Sequence, residues 1–233
     1  MIVNVHKKWF SFLFITIISS ATINAQVIKS KDNNLKAQQA IMDLKDGALV
    51  VRLKSKRNKI EKLQEAIASP NLSEKEKKRL QKDLDNTIQE NEEYNSSIVS
   101  AFDQYFKFSP VYFIYDTSAV DLKVGKKSGY FLDTNLKTDP NIIFTQDSFF
   151  VIYNGELSAT NNSGMEALII IDSQNQPLPS PFPYYIKANN FWYTLGRFFS
   201  PKNAIKRDLK KVVSKLDYNL NEYYKKTVAK LKN

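Results

Sequence analysis

The sequence has no cysteine and one histidine, His6. Without cysteine there can be no disulfide, no redox dithiol and no thiol nucleophile. His6 falls in a stretch read below as a cleaved leader. The remaining chain therefore has no histidine-based nucleophile triad and no His/Cys metal site. Carboxylate, lysine, tyrosine and hydroxyl chemistry is left. Glycine is scarce, six residues in all, and no glycine-rich phosphate cradle is present. Gly125-Lys126-Lys127-Ser128-Gly129 contains a Gly-Lys pair. It lacks the preceding glycine-rich loop and the strand-to-helix setting of a nucleotide site, and it reads as a flexible basic loop. Long apolar runs are also missing. Beyond the first 25 residues, Ala167 to Ile171 spans only five positions, against about twenty for a membrane helix.

The first 25 residues have the layout of a secretory signal peptide. Lys7 and Lys8 are basic, Trp9 to Ile18 is a short apolar core, and Ser19 to Ala25 is a small, polar exit. Cleavage after Ala25 would leave Gln26 first and place the chain in the periplasm or outside the cell. With no disulfides to staple it, the exported chain needs a sizeable apolar core. Fifteen Phe and twelve Tyr can supply one. The balance of 34 basic to 24 acidic residues is +10. The excess runs along lysine-rich helical segments with glutamates among them, the pattern of solvated helix faces rather than of nucleic-acid binding.

The chain is organised around 47–116. Ala48-Leu49-Val50-Val51-Arg52-Leu53 reads as a strand, about fifty residues of highly charged helical pattern follow, and Val111 to Tyr115 reads as a second strand. Strand, helical excursion, strand is the pattern of a parallel crossover. A short helix over Leu35 to Leu44 precedes it, ended by Gly47 as a left-handed helix exit. Within the excursion, Ile60, Leu63 and Ile67 form one stripe. Ser69-Pro70-Asn71 breaks the helix, and Ser73 with Glu76 forms a capping box for a second one. The second stripe runs Leu80, Leu84, Ile88, then Asn91 or Asn95, then Ile98, Phe102 and Phe106. The result is a helical hairpin at about 55–107, paired within the chain or serving as a homodimer contact.

Val120, Leu122 and Val124 alternate, so Thr117 to Lys127 reads as a short edge strand or a loop. Gly129 to Asp133 reads as briefly extended. Strands are predicted around Phe149–Tyr153 and Ala167–Ile171, the latter apolar on both faces and so covered on both. A helix beginning at Ser200-Pro201 and reaching about Lys230 has the stripe Ile205, Leu209, Val212, Leu216, Leu220, Tyr223 or Tyr224, and Val228. The expected fold is a three-layer α/β domain over 26–233, with a mixed central sheet of four to six strands, the inserted hairpin and the C-terminal helix.

Three groups of residues carry candidate chemistry. Asp116 and Asp172 end two strands. As parallel neighbours they would share a sheet edge, where they could share a proton or hold a hard cation. Otherwise each caps the turn that follows it. Asp133, Asp147 and Glu156 could join such a site only through the fold. Tyr184, Tyr185, Trp192, Tyr193 and Arg197 are a candidate binding platform if exposed, and a plug for the last helix if buried. Lys206, Arg207, Lys210 and Lys211 could meet an anionic partner or simply be solvated. Asn95-Ser96-Ser97 and Asn161-Asn162-Ser163 match the glycan-acceptor pattern.

The element order over Ala48–Leu53, Val111–Tyr115, Phe149–Tyr153, Ala167–Ile171 and the last helix resembles the thioredoxin-like superfamily. Leu168 to Leu178 is similar to that family's penultimate strand and turn. The resemblance implies the fold alone. The family's paired cysteines are absent, Tyr115-Asp116-Thr117-Ser118 stands in their place, and no proline directly precedes Phe149. In composition the chain also resembles exported proteins of the Bacteroidota. The functional expectation is a non-catalytic, exported cell-envelope binding or accessory protein without a cofactor. The alternative is a carboxylate-based, metal-assisted hydrolase using Asp116 and Asp172.

Overall fold

The computed structural model describes residues 31–157, 165–187 and 201–232. The leader, Asn161 and its loop, and Trp192, Tyr193 and Arg197 lie outside the described residues. In chain order the elements are α1 (31–46), β1 (Ala48–Leu53), α2 (Arg57–Ile67), α3 (Glu74–Tyr105), β2 (Val111–Tyr115), a 3-10 turn (Asp116–Ser118), α4 (Ala119–Lys123), β3 (Phe149–Leu157), β4 (Met165–Asp172), β5 (Tyr185–Lys187) and α5 (Pro201–Leu231). The five strands form one mixed sheet in the order β2-β1-β3-β4-β5. β1 is parallel to both β2 and β3, while β4 is antiparallel to β3 and to β5. This is the expected α/β domain, with the α2–α3 hairpin inserted between β1 and β2.

Each sheet face has its own core. Leu49, Val51 and Leu53 of β1 turn toward α1, α3 and α5, joined by Phe113, Phe150, Ile152, Leu168 and Ile170. Ala48 and Val50 turn the other way with Ile114, Val151, Ile169 and Ile171. There they meet Leu122 of α4 and the rings of Tyr130, Phe131 and Phe144. Strands covered on both sides read as unbroken apolar runs, which is why β1 and β4 lack polar alternation.

Gly47 ends α1 for a reason other than the expected left-handed turn. Its φ is not positive. Instead, a Cβ there would collide with the carbonyl oxygen of Ser148 and stand 2.7 Å from that of Asp43. Glycine lets the chain pass between α1 and the start of β3.

The hairpin follows the sequence closely. Ser73 accepts from the Glu76 N–H and Glu76 accepts from the Ser73 N–H, closing the capping box. The Ser73 hydroxyl, donating to the Glu76 carboxylate, holds that group below the usual carboxylate range. α2 buries none of its residues, and α3 buries mainly its second half, around Ile98, Val99 and Phe102. The polar break in the α3 stripe has a structural task. Asn95 donates to the Lys54 carbonyl at 3.0 Å and Asn91 to that of Ser55 at 3.4 Å, satisfying the backbone where β1 gives way to α2.

Two local expectations are corrected. Thr117 to Lys127 is neither strand nor loop throughout, since it begins with the 3-10 turn and α4. Only Leu122 of the alternating trio is buried, while Val120 and Val124 are 72% and 73% exposed. In α5 the buried stripe passes through Val213 rather than Val212, with Ile205, Leu209, Leu216 and Leu220 as expected. Among the described residues no helix is long and apolar enough to cross a membrane.

Candidate functional site

The sheet does not bring Asp116 and Asp172 together. β1 and β3 lie between their strands, and β4 runs opposite to β2. Asp172 stands beside Phe150 near the start of β3, whereas Asp116 follows the carboxyl end of β2, so they occupy opposite edges. Their condition for a shared site, parallel neighbouring strands, is not met.

Each carboxylate serves the backbone instead. Asp116 accepts from the Ser55 N–H at 3.1 Å. Asp172 accepts from Gln174 and Gln176 at 2.9 and 2.7 Å, closing a turn in which Asn175 has φ 62°. Asp133 accepts from Asn135 and Lys137, and the Lys137 bond foremost holds its carboxyl below the usual range. Asp147 is exposed, and Glu156 pairs across the β3–β4 ladder with Glu166, also exposed. Among the described residues no group of three or more His, Cys, Asp or Glu could hold a metal ion.

The described part of the aromatic segment divides between core and surface. Phe182 is 2% exposed, stacked on Phe150 at 6.3 Å and edge-on to Tyr223 of α5 at 6.2 Å, so it ties the last helix to the sheet. Tyr184 is half-buried against both cores. Tyr185 beside it is 37% exposed, with ring centroids 5.0 Å apart.

The strand register extends Tyr185 into a row. Tyr185 pairs with Ile169, Ile169 with Tyr153, and Tyr153 with Arg52. Paired residues share a face, so Arg52, Tyr153, Ile169 and Tyr185 cross four strands on the side away from α1, α3 and α5. The row is roughly 14 Å long at the usual strand spacing. The Arg52 guanidinium lies 4.6 Å from the Tyr153 ring centroid. Gly155 makes room for that ring, since a Cβ there would stand 2.7 Å from Tyr153 Cε2. An arginine stacked on one tyrosine, with a second pair of tyrosine rings at the row's far end, can hold a ligand with a flat face.

Arg52 and Tyr153 were not foreseen as site residues. The available signal was a lone charge in the apolar run of β1 and a tyrosine two residues before a glycine in β3. Only the register shows that they align.

A concavity lies at the carboxyl ends of β1 and β2. This open cleft of about 330 Å³ is lined by Ser55, Lys56, Arg57, Asn58, Lys59, Asp116 and Thr117. Sheets of this kind usually receive ligands at such ends. Here the lining is polar, and the Arg57 N–H is already bonded to the Ser55 hydroxyl. Asn95, one of the two matches to the glycan pattern, is 1% exposed and bonded to Lys54, so it is no glycan acceptor in the folded chain.

A scan against protein-family models and searches of curated proteins and of solved structures return no match for this chain.

Proposed function

We propose that this chain is an exported cell-envelope binding or accessory protein, acting by recognition, and that the row Arg52, Tyr153, Tyr185 with the adjoining Tyr184 is its ligand surface. The leader layout of 1–25 supports export. The observation that carries the binding reading is the row itself. A cation, two tyrosine rings and an isoleucine share one sheet face, and Tyr185 is open to solvent. The ligand class that fits is one with a flat face, a sugar ring or a peptide side chain. The rival carboxylate hydrolase would need Asp116 and Asp172 in one site, and the sheet sets them at opposite edges.

The test has two arms. N-terminal sequencing of chain recovered outside the cytoplasm should begin at Gln26, and uncleaved cytoplasmic chain would defeat the export reading. Retention on insoluble envelope fractions should fall about tenfold in Tyr185→Ala, as for an aromatic anchor at an interface, with the circular dichroism spectrum unchanged. Equal retention of wild type and Tyr185→Ala would remove the row as the binding surface.

A further inference from the structure

The chain's positive charge is concentrated in one element. Ten of the 34 basic residues and three of the 24 acidic ones fall in 201–232, so α5 and its last residues hold +7 of the net +10. The hairpin, for all its lysines, is close to neutral, with ten basic and nine acidic residues over 54–93. The inner face of α5, from Ile205 to Leu220, is buried in the first core. On the opposite side Arg207, Lys211, Lys215, Tyr218, Glu222 and Lys225 recur at steps of three and four, one line along a helix. All but Glu222 are exposed, and Tyr218 is 63% exposed in the middle of the line.

The acidic residues of α5 pair with two of the four cations on this line and leave Lys211 and Lys215 without an acidic partner among the described residues. Asp208 is beside Arg207 at 3.6 Å, and Glu222 beside Lys225 at 3.2 Å. Asp217 turns inward, accepting from the Lys107 N–H at 2.6 Å and from Asn221 at 3.0 Å. Lys211, Lys215 and Lys226 form no ion pair among the described residues.

We propose that the outer face of α5 docks on an anionic bilayer surface. The cations are strung along a helix of 31 residues rather than gathered around a point, so a plane meets them together where a small anion would meet one or two. An exposed aromatic among lysines is the composition of helices that lie at a headgroup interface. The apolar face of α5 is committed to the core, so attachment is electrostatic and reversible, without insertion. Each Lys or Arg near such a surface strengthens binding about fivefold. This surface shares no residue with the Arg52–Tyr185 row, so either proposal can fail alone.

The experiment is co-sedimentation of the full chain with vesicles of phosphatidylcholine alone and of phosphatidylcholine with phosphatidylglycerol. The chain should pellet with the anionic vesicles at low ionic strength, stay in solution with the neutral ones, and be released by high salt. The triple variant Arg207→Gln, Lys211→Gln, Lys215→Gln should bind about a hundredfold more weakly with its melting midpoint unchanged. Lys75→Gln, Lys78→Gln, Lys82→Gln removes the same charge from the hairpin and should bind as wild type. Equal pelleting with neutral vesicles, or equal losses in the two triple variants, would overturn the proposal. Binding to a soluble anionic polysaccharide without binding to anionic vesicles would assign the face to a polymer and overturn it too.

Discussion

The two faces of the sheet are covered by different means. On one, α1, α3 and α5 lay long periodic stripes against β1, β3 and β4. On the other, one short helix and the irregular chain of 124–148 do the same work with rings. Phe131 sits 4.3 Å from Tyr130, 5.4 Å from Tyr112 and 5.5 Å from Phe144, and Phe144 meets Phe149 at 5.5 Å. A helix buries area in small portions at regular intervals, whereas a ring buries a large portion wherever the backbone can deliver it. The first mode leaves a period in the sequence and the second leaves only composition.

The sharpest way to break this comparison is to remove one ring from each face. Phe102→Ala and Phe131→Ala each delete a side chain that is fully buried. Each should destabilise the fold by about 3–5 kcal/mol, read from the shift of the urea midpoint. The faces should then diverge in hydrogen exchange. Phe131→Ala should open amides of 124–148 ahead of the sheet, while Phe102→Ala should act on the whole fold. A cost under about 1 kcal/mol for Phe131→Ala would mean that the ring layer is a veneer and not a core.

Asn95→Ala tests the junction between the hairpin and the sheet. It strips the Lys54 carbonyl of its partner and should cost about 1–3 kcal/mol. An unchanged midpoint would show that water takes over the bond. Ser73→Ala, at the far end of α3, removes only an exposed cap and should cost about 1 kcal/mol, with helix loss confined to the first turns of α3.

The smallest effect is a pH dependence of the ring-lined face. Burial foremost, then the charge of Asp121, pushes the Tyr130 hydroxyl up to about 12. Its folded pKa is therefore above the unfolded value near 10. Above pH 10 the unfolded chain releases this proton first, so stability is complete below pH 10 and is lost as pH rises through 12. In an absorbance titration of the tyrosines, Tyr130 should be among the last to ionise, and Tyr130→Phe should flatten that part of the alkaline stability curve. A titration with every tyrosine ionising together near pH 10 would contradict the buried hydroxyl.

How much could be read beforehand follows the same division. The hairpin, its capping box and the last helix were legible because stripes such as Ile98–Phe102–Phe106 and Leu209–Leu216–Leu220 repeat at the helical period. Val120, Leu122 and Val124 misled because strict alternation over five residues looks like a strand, yet one turn of helix with a single buried leucine produces it too. Asn91 and Asn95 looked like an interruption of the stripe. They are its point of attachment, since a buried amide there has two strand-end carbonyls to satisfy. In the candidate site, Tyr184 and Tyr185 were legible from local composition, whereas Arg52 and Tyr153 were not, being about a hundred residues apart in the chain.

The sequence by itself determined much of the chemical repertoire, since a missing cysteine is missing in every conformation. It also determined the long helices and the buried strands, because those follow from patterns repeated over several residues. Strand order and direction were decided by tertiary structure. They put Asp116 and Asp172 at opposite edges, aligned Arg52, Tyr153 and Tyr185 on one face, and turned the line of Arg207, Lys211, Lys215 and Lys225 on α5 away from the core. The physical reason is that register and sheet order are set by how whole elements bury their surfaces against one another, and no short window of sequence contains both partners of such a contact.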